Sequence, residues 1–167
     1  MTERHGIGFI GLGSIGQRML AQAWNHPRVQ PTVAWDLAAE RLAQTVTNSA
    51  GLRAAADVNS LINDDAVDVV YIASPPLTHA AHANAALEFG KPVLCEKPLG
   101  IDIATSEALA ARATASGIAH GVNFIFASAH PAMQIEQALA QTELGKINGV
   151  EAQLHLPNWA RRRYAEA

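Results

Sequence analysis

The run Gly8-Phe9-Ile10-Gly11-Leu12-Gly13-Ser14-Ile15-Gly16 constrains this chain more than any other feature of its 167 residues. It holds G-x-G-x-x-G at Gly11, Gly13 and Gly16, directly after an apolar stretch of strand character and directly before a segment of helical spacing. The three glycines have separate uses. Gly11 permits a tight turn, Gly13 lets a ligand phosphate approach the backbone, and Gly16 lets helix and strand pack closely. A helix opening at Ser14 and Ile15 then offers unpaired N–H groups and the positive end of its dipole to a pyrophosphate. Glycine-rich turns also occur for structural reasons alone, so the motif needs a second feature beside it.

Asp36 is that feature. It closes the next strand-like segment about 20 residues beyond Gly16, where a carboxylate can accept the ribose hydroxyls of an adenosine half. The same aspartate could instead cap the alanine-rich helix that follows. S-adenosylmethionine enzymes share a similar glycine turn, so the turn by itself leaves that class open. If the ligand is a nicotinamide dinucleotide, Asp36 favours NAD over NADP, because it sets a carboxylate beside the extra phosphate. Arg41, a turn into the next helix, would partly offset that repulsion.

Short buried runs alternate with helical stretches through the chain, the pattern of a parallel sheet with crossover helices. Strands are expected at Gly6–Ile10, Thr32–Trp35, Leu52–Ala55, Asp68–Ile72, Pro92–Cys95 and Ile118–Phe126, with a last one over Ile147–Leu156. Helices are expected at Ser14–Asn25, Leu37–Ser49 (with Gly51 as its stop), from Asp57 as N-cap, and at Leu77–Phe89, Asp102–Ser116 and Pro131–Thr142. This order predicts an α/β fold with a doubly wound, mainly parallel sheet of the Rossmann type.

With 49% apolar and 16% charged residues, the chain has the composition of a globular domain. A net charge of -3 gives no basic field for nucleic acid or an anionic membrane; Arg161-Arg162-Arg163 is the one local exception. No apolar run is long enough to span a bilayer, and Met1-Thr2-Glu3-Arg4-His5 lacks a signal-peptide pattern, so the cytoplasm is the expected location. Cys95 is the only cysteine, which excludes an intramolecular disulfide. His79 and His82 lie one helical turn apart without further placed ligands, so no metal site is expected.

Two later segments stand at strand ends. The first is Ala73-Ser74-Pro75-Pro76-Leu77-Thr78-His79, and the second runs Ala86-Leu87-Glu88-Phe89-Gly90-Lys91-Pro92-Val93-Leu94-Cys95-Glu96-Lys97-Pro98-Leu99. In an open α/β sheet the carboxyl ends of the strands face the ligand crevice. With the glycine turn and Glu143-Leu144-Gly145-Lys146-Ile147-Asn148-Gly149-Val150, these segments resemble, in order, the Gfo/Idh/MocA family of glucose–fructose oxidoreductase and inositol dehydrogenase relatives. The resemblance runs from Gly6 to about Leu156, and its Glu-Lys-Pro element leaves the S-adenosylmethionine alternative without an account of that segment. It implies an NAD-dependent oxidoreductase acting on a hydroxyl or carbonyl of a sugar, polyol or similar small molecule.

The resemblance implies that Gly11, Gly13, Ser14, Ile15, Gly16, Asp36, Ser74, Pro75, His79, Glu96 and Lys97 hold the cofactor, with His79 lining the groove and Glu96 near the nicotinamide. Lys97 is the one catalytic candidate, placed to hydrogen-bond the reacting oxygen of the substrate, with a cis bond before Pro98. Ser128 and Ala129 stand where relatives often carry an arginine and an aromatic residue. The division expected is a dinucleotide-binding domain over 1–126 and, over 127–167, a connecting helix and the first strand of a substrate domain. Relatives use that second domain for the general acid or base. The chain is therefore expected to bind NADH without efficient turnover, and to form homo-oligomers or meet a complementing chain. A non-enzymatic NAD(H)-binding sensor or accessory module is the other reading.

Overall fold

The computed structural model describes residues 4–141 and 145–153, in two compact units, Met1–Phe124 and Ile125–Ala167. The first holds six strands: β1 (His5–Ile10), β2 (Val29–Trp35), β3 (Arg53–Ala54), β4 (Val69–Ile72), β5 (Val93–Glu96) and β6 (His120–Asn123). Its helices are α1 (Ser14–Trp24), α2 (Ala39–Thr47), α3 (Val58–Ile62), α4 (Pro76–Glu88) and α5 (Ile103–Ser116). The strands form one sheet in the order β3-β2-β1-β4-β5-β6, and every neighbouring pair is parallel. The chain works outward from β1 to one edge, then returns to β4 and works outward to the other. Between β1 and β4 the strand order reverses, which opens a crevice at their carboxyl ends.

Residue alternation explains why both faces are covered. Successive side chains of a strand point to opposite faces, so Phe9 and Ile10 of β1 enter different cores. Phe9 joins Tyr71, Leu12, Leu20 and Ala23, while Ile10 joins Val33, Leu61, Val70, Ile72 and Ala83. Each fully buried aliphatic side chain contributes about 1.5–3 kcal/mol relative to exposure. Phe9 and Tyr71 are also opposite one another in the β1–β4 ladder, with ring centroids 5.4 Å apart in an edge arrangement. The local stops are chemical. Asp57 and Ser60 form a reciprocal capping box at α3, Asp102 accepts from Thr105 N at α5, and α5 ends on Gly117 at φ +68°.

Several boundaries differ from those expected, each for a local reason. β2 starts at Val29 and passes through Pro31, whose missing N–H is accommodated by a register shift opposite Ile7 and Gly8. α2 ends at Thr47 on Asn48, and Gly51 at φ +87° turns the chain toward β3 instead of stopping the helix. β6 covers only His120–Asn123, because turns occupy residues 125–128. The second unit holds α6 (His130–Ala140). The strand expected over Ile147–Leu156 is not formed across residues 147–153, and 154–156 lie outside the described residues. Alternation of apolar residues makes a strand only where a neighbour completes its ladder. Among the described residues, no helix is long and apolar enough to cross a membrane.

Cys95 is buried on β5, and burial, reinforced by the Glu96 carboxylate, pushes its thiol up to about 12. An unfolded thiol ionises near pH ~8.5. A folded value above the unfolded one means stability that is complete below pH ~8.5 and is lost as pH rises toward 12. Urea denaturation at pH 7 and pH 10.5 should therefore show a smaller alkaline loss in Cys95→Ala than in the parent. Equal losses would mean that this thiol is not the source.

Candidate cofactor site

The turn from β1 into α1 supplies the site's centre. Gly11 has φ +94°, and a Cβ there would lie 2.5 Å from Ser74 N and 2.6 Å from the Ala73 carbonyl carbon. Only glycine lets the turn lie this close to the end of β4. Gly16 meets the Gly11 carbonyl oxygen, so α1 packs directly onto the turn. Gly13 is different. It is the N-cap of α1, makes no side-chain cap, and nothing lies within 4 Å of where its Cβ would be. The first N–H groups of α1, around exposed Ser14 and Ile15, therefore open onto free space at the positive end of the helix. That space suits a phosphate.

Asp36, 7% exposed, stands at the end of β2 beside this turn. Its Oδ2 accepts from Leu12 N at 2.6 Å, and its Oδ1 accepts from Ala38 N at 2.8 Å and from Arg41 at 2.9 Å. The carboxylate thus holds the glycine turn and also supports the entry to α2, whose N-cap is Ala38. Arg41 is half exposed and reaches back to Asp36 from inside α2.

Across the switch point, Ser74 and Pro75 follow β4, and Pro75 is the N-cap of α4. The Ser74 hydroxyl accepts from Thr78 Oγ1 at 2.8 Å. His79 does not line the groove. It is 1% exposed, with Nε2 at 2.7 Å from Ser74 O and Nδ1 at 2.8 Å from Pro98 O. A side chain enclosed in this way, with both nitrogens against backbone carbonyls, links the segment after β4 to the segment after β5. His82, one turn on, stacks edge-on to Trp35 at 6.1 Å, and burial, helped by His79, holds its imidazole below the usual range.

Glu96, Lys97 and Pro98 follow at the end of β5. Lys97 is exposed, and the Lys97–Pro98 bond is cis, as the resemblance implied. Glu96 is 7% exposed, and its Oε1 accepts from Tyr71 Oη at 2.7 Å and Asn123 Nδ2 at 2.6 Å. Burial and the Glu96 carboxylate push the Tyr71 phenol far above its ordinary value, so it remains a hydrogen-bond donor. Sequence reasoning missed Tyr71 and Asn123. The available signals were a tyrosine within the aliphatic strand Val69-Val70-Tyr71-Ile72 and an asparagine closing β6. Lys91 also has a role unforeseen from its position before Pro92: its Nζ donates to Val67 O at 2.6 Å and so supports the approach to β4.

Residues 5–124 match the family described as an oxidoreductase family with an NAD-binding Rossmann fold, Gfo/Idh/MocA. The inositol 2-dehydrogenase of Acidothermus cellulolyticus is 38% identical over 120 residues, which are 71% of this chain and 34% of that protein. A probable dehydrogenase from Thermotoga maritima superposes with a TM-score of 0.79 at 25% identity, over 84% of this chain and 42% of the other. A 3-ketoreductase from Actinomadura kijaniata, solved with NADP and TDP-benzene, gives a TM-score of 0.74 at 29% identity, over 83% and 42%. This chain spans about a third to less than half of each of these three proteins. With its six-stranded parallel sheet and the glycine turn at the head of β1, the chain belongs to the Gfo/Idh/MocA oxidoreductase family, by its NAD-binding Rossmann domain.

Proposed function

We propose that this chain is the dinucleotide-binding part of an NAD-dependent oxidoreductase acting on a hydroxyl or carbonyl of a sugar, polyol or related small molecule. The observation that carries this reading is the uncapped start of α1 at Gly13, open where a Cβ would stand and flanked by a buried aspartate. Gly11, Gly13, Ser14, Ile15 and Gly16 would receive the pyrophosphate through backbone N–H groups. Asp36 keeps acceptor capacity on Oδ2 beyond its bond from Leu12 N, which suits a ribose hydroxyl. The adenosine half then lies over β2, and the nicotinamide half over the ends of β4 and β5.

NAD, when bound, would accept or supply the hydride. Ser74 and Pro75 would border the nicotinamide half, and Glu96, fixed by Tyr71 and Asn123, would present a carboxylate edge beside it. Lys97, exposed on the crevice edge, would hydrogen-bond the reacting oxygen and stabilise negative charge developing there. Residues 1–126 form the dinucleotide-binding domain in this reading, and 127–167 lead toward the substrate-binding part.

A fluorescence titration with NADH tests the reading directly. Gly13→Val should weaken NADH binding by more than about 100-fold, because its side chain fills the phosphate space, with the circular dichroism spectrum unchanged. Retained affinity would place the site elsewhere.

NADH should bind at least about tenfold more tightly than NADPH, a difference of roughly 1.4 kcal/mol. In Asp36→Ala the carboxylate that repels a 2′-phosphate is gone and Arg41 is released from its partner, so the preference should vanish or reverse. A preference unchanged in Asp36→Ala would sink this assignment.

A further inference from the structure

The ladder that aligns β4 with β5 ends where the crevice begins. Its last aligned pair is Ile72 with Cys95, and the segments that border the crevice, Ala73–Pro75 and Lys97–Pro98, lie beyond it. One side chain joins them. His79, from the first turn of α4, puts Nε2 2.7 Å from Ser74 O and Nδ1 2.8 Å from Pro98 O. Its burial removes water as a competitor for either contact, and it leaves the ring no face for a ligand.

The Ser74 end is itself fixed. Ala73 N donates to Ile10 O at 2.8 Å, and Ser74 N lies close beneath Gly11. A connected path therefore runs from the glycine turn through Ser74 and the imidazole to Pro98, the residue after Lys97. Both contacted atoms are carbonyl oxygens, and they lie against opposite nitrogens of the ring. An amide side chain carries both its donors on one nitrogen and so does not reproduce the two separated nitrogens of the ring.

We infer that His79 is a positioning residue that sets the spacing between the pyrophosphate turn and the Glu96-Lys97-Pro98 turn, and so determines how the nicotinamide half is held. It acts through backbone carbonyls and does not touch the dinucleotide. The inference rests on the proposed cofactor site, with the adenosine half over β2 and the nicotinamide half over β4 and β5.

ADP-ribose separates the two. It keeps the groups that the glycine turn and Asp36 would bind and lacks the nicotinamide. Affinities for NADH and ADP-ribose are measured by titration for the 167-residue chain and for His79→Gln and His79→Ala, with thermal melts to establish that each variant folds. The parent should bind NADH more tightly than ADP-ribose. That ratio should fall about tenfold in His79→Ala and about threefold in His79→Gln, the scale of one or two lost hydrogen bonds. Affinity for ADP-ribose should stay within about threefold of the parent. A ratio unchanged in a folded His79→Gln overturns the inference, as does a parallel loss of both ligands, which would make His79 a core residue only. A parent chain that binds neither ligand overturns the cofactor site, and the inference with it.

Discussion

The hydrogen bond from Leu12 N to Asp36 Oδ2, 2.6 Å long and buried, is the contact on which the arrangement around it depends. It joins the middle of the glycine turn to the end of β2, so the turn cannot move away from β2 without breaking a charge-assisted bond in a low-dielectric setting. Such a bond contributes more than a neutral one, about 1.5–3 kcal/mol. With the turn held, Gly11 can lie against the end of β4 and Gly16 against Gly11, and the N-terminus of α1 stays uncovered. Had Asp36 served only as a helix cap, the turn would have lacked this tether. It does not cap α2, whose N-cap is Ala38; its other oxygen instead accepts from the N–H of that residue.

Most of the fold was legible because its signals are local. The glycine spacing, the aspartate after β2, the proline and glycine stops and the apolar runs each report on a handful of neighbouring residues, and the parallel order follows from their alternation. Asp57 was readable as a cap for the same reason, whereas Asp102, expected as the first helical residue, is the N-cap of α5. The segment over Ile147–Leu156 shows the limit. Its alternation is real, yet a strand is a relation between two segments, and residues 147–153 are not a strand.

The crevice residues divide along the same line. The resemblance, together with position near a strand's carboxyl end, pointed to Ser74, Pro75, Glu96 and Lys97; Ser74 and Pro75 follow β4, Glu96 closes β5 and Lys97 comes next. Position could not tell an exposed side chain from an enclosed one, and His79 is enclosed. Tyr71 and Asn123 escaped notice because their partner is 25 residues from one and 27 from the other, brought together only by the pairing of β4, β5 and β6. A polar residue in a strand becomes informative once its cross-sheet neighbour is known.

The reversal of strand order at β1 and β4 has a consequence for how the chain reaches this state. Gly6 N donates to Asp68 Oδ2 across a separation of 62 residues, and no other strand pair in the sheet joins segments so far apart. The outward-running halves, β1-β2-β3 and β4-β5-β6, each require shorter closures, whose entropy cost is lower. The central seam therefore carries the largest closure cost, and contacts of such long range slow folding as a whole. A dinucleotide laid across that seam would bridge the two halves and draw the equilibrium toward the joined sheet in proportion to its free concentration.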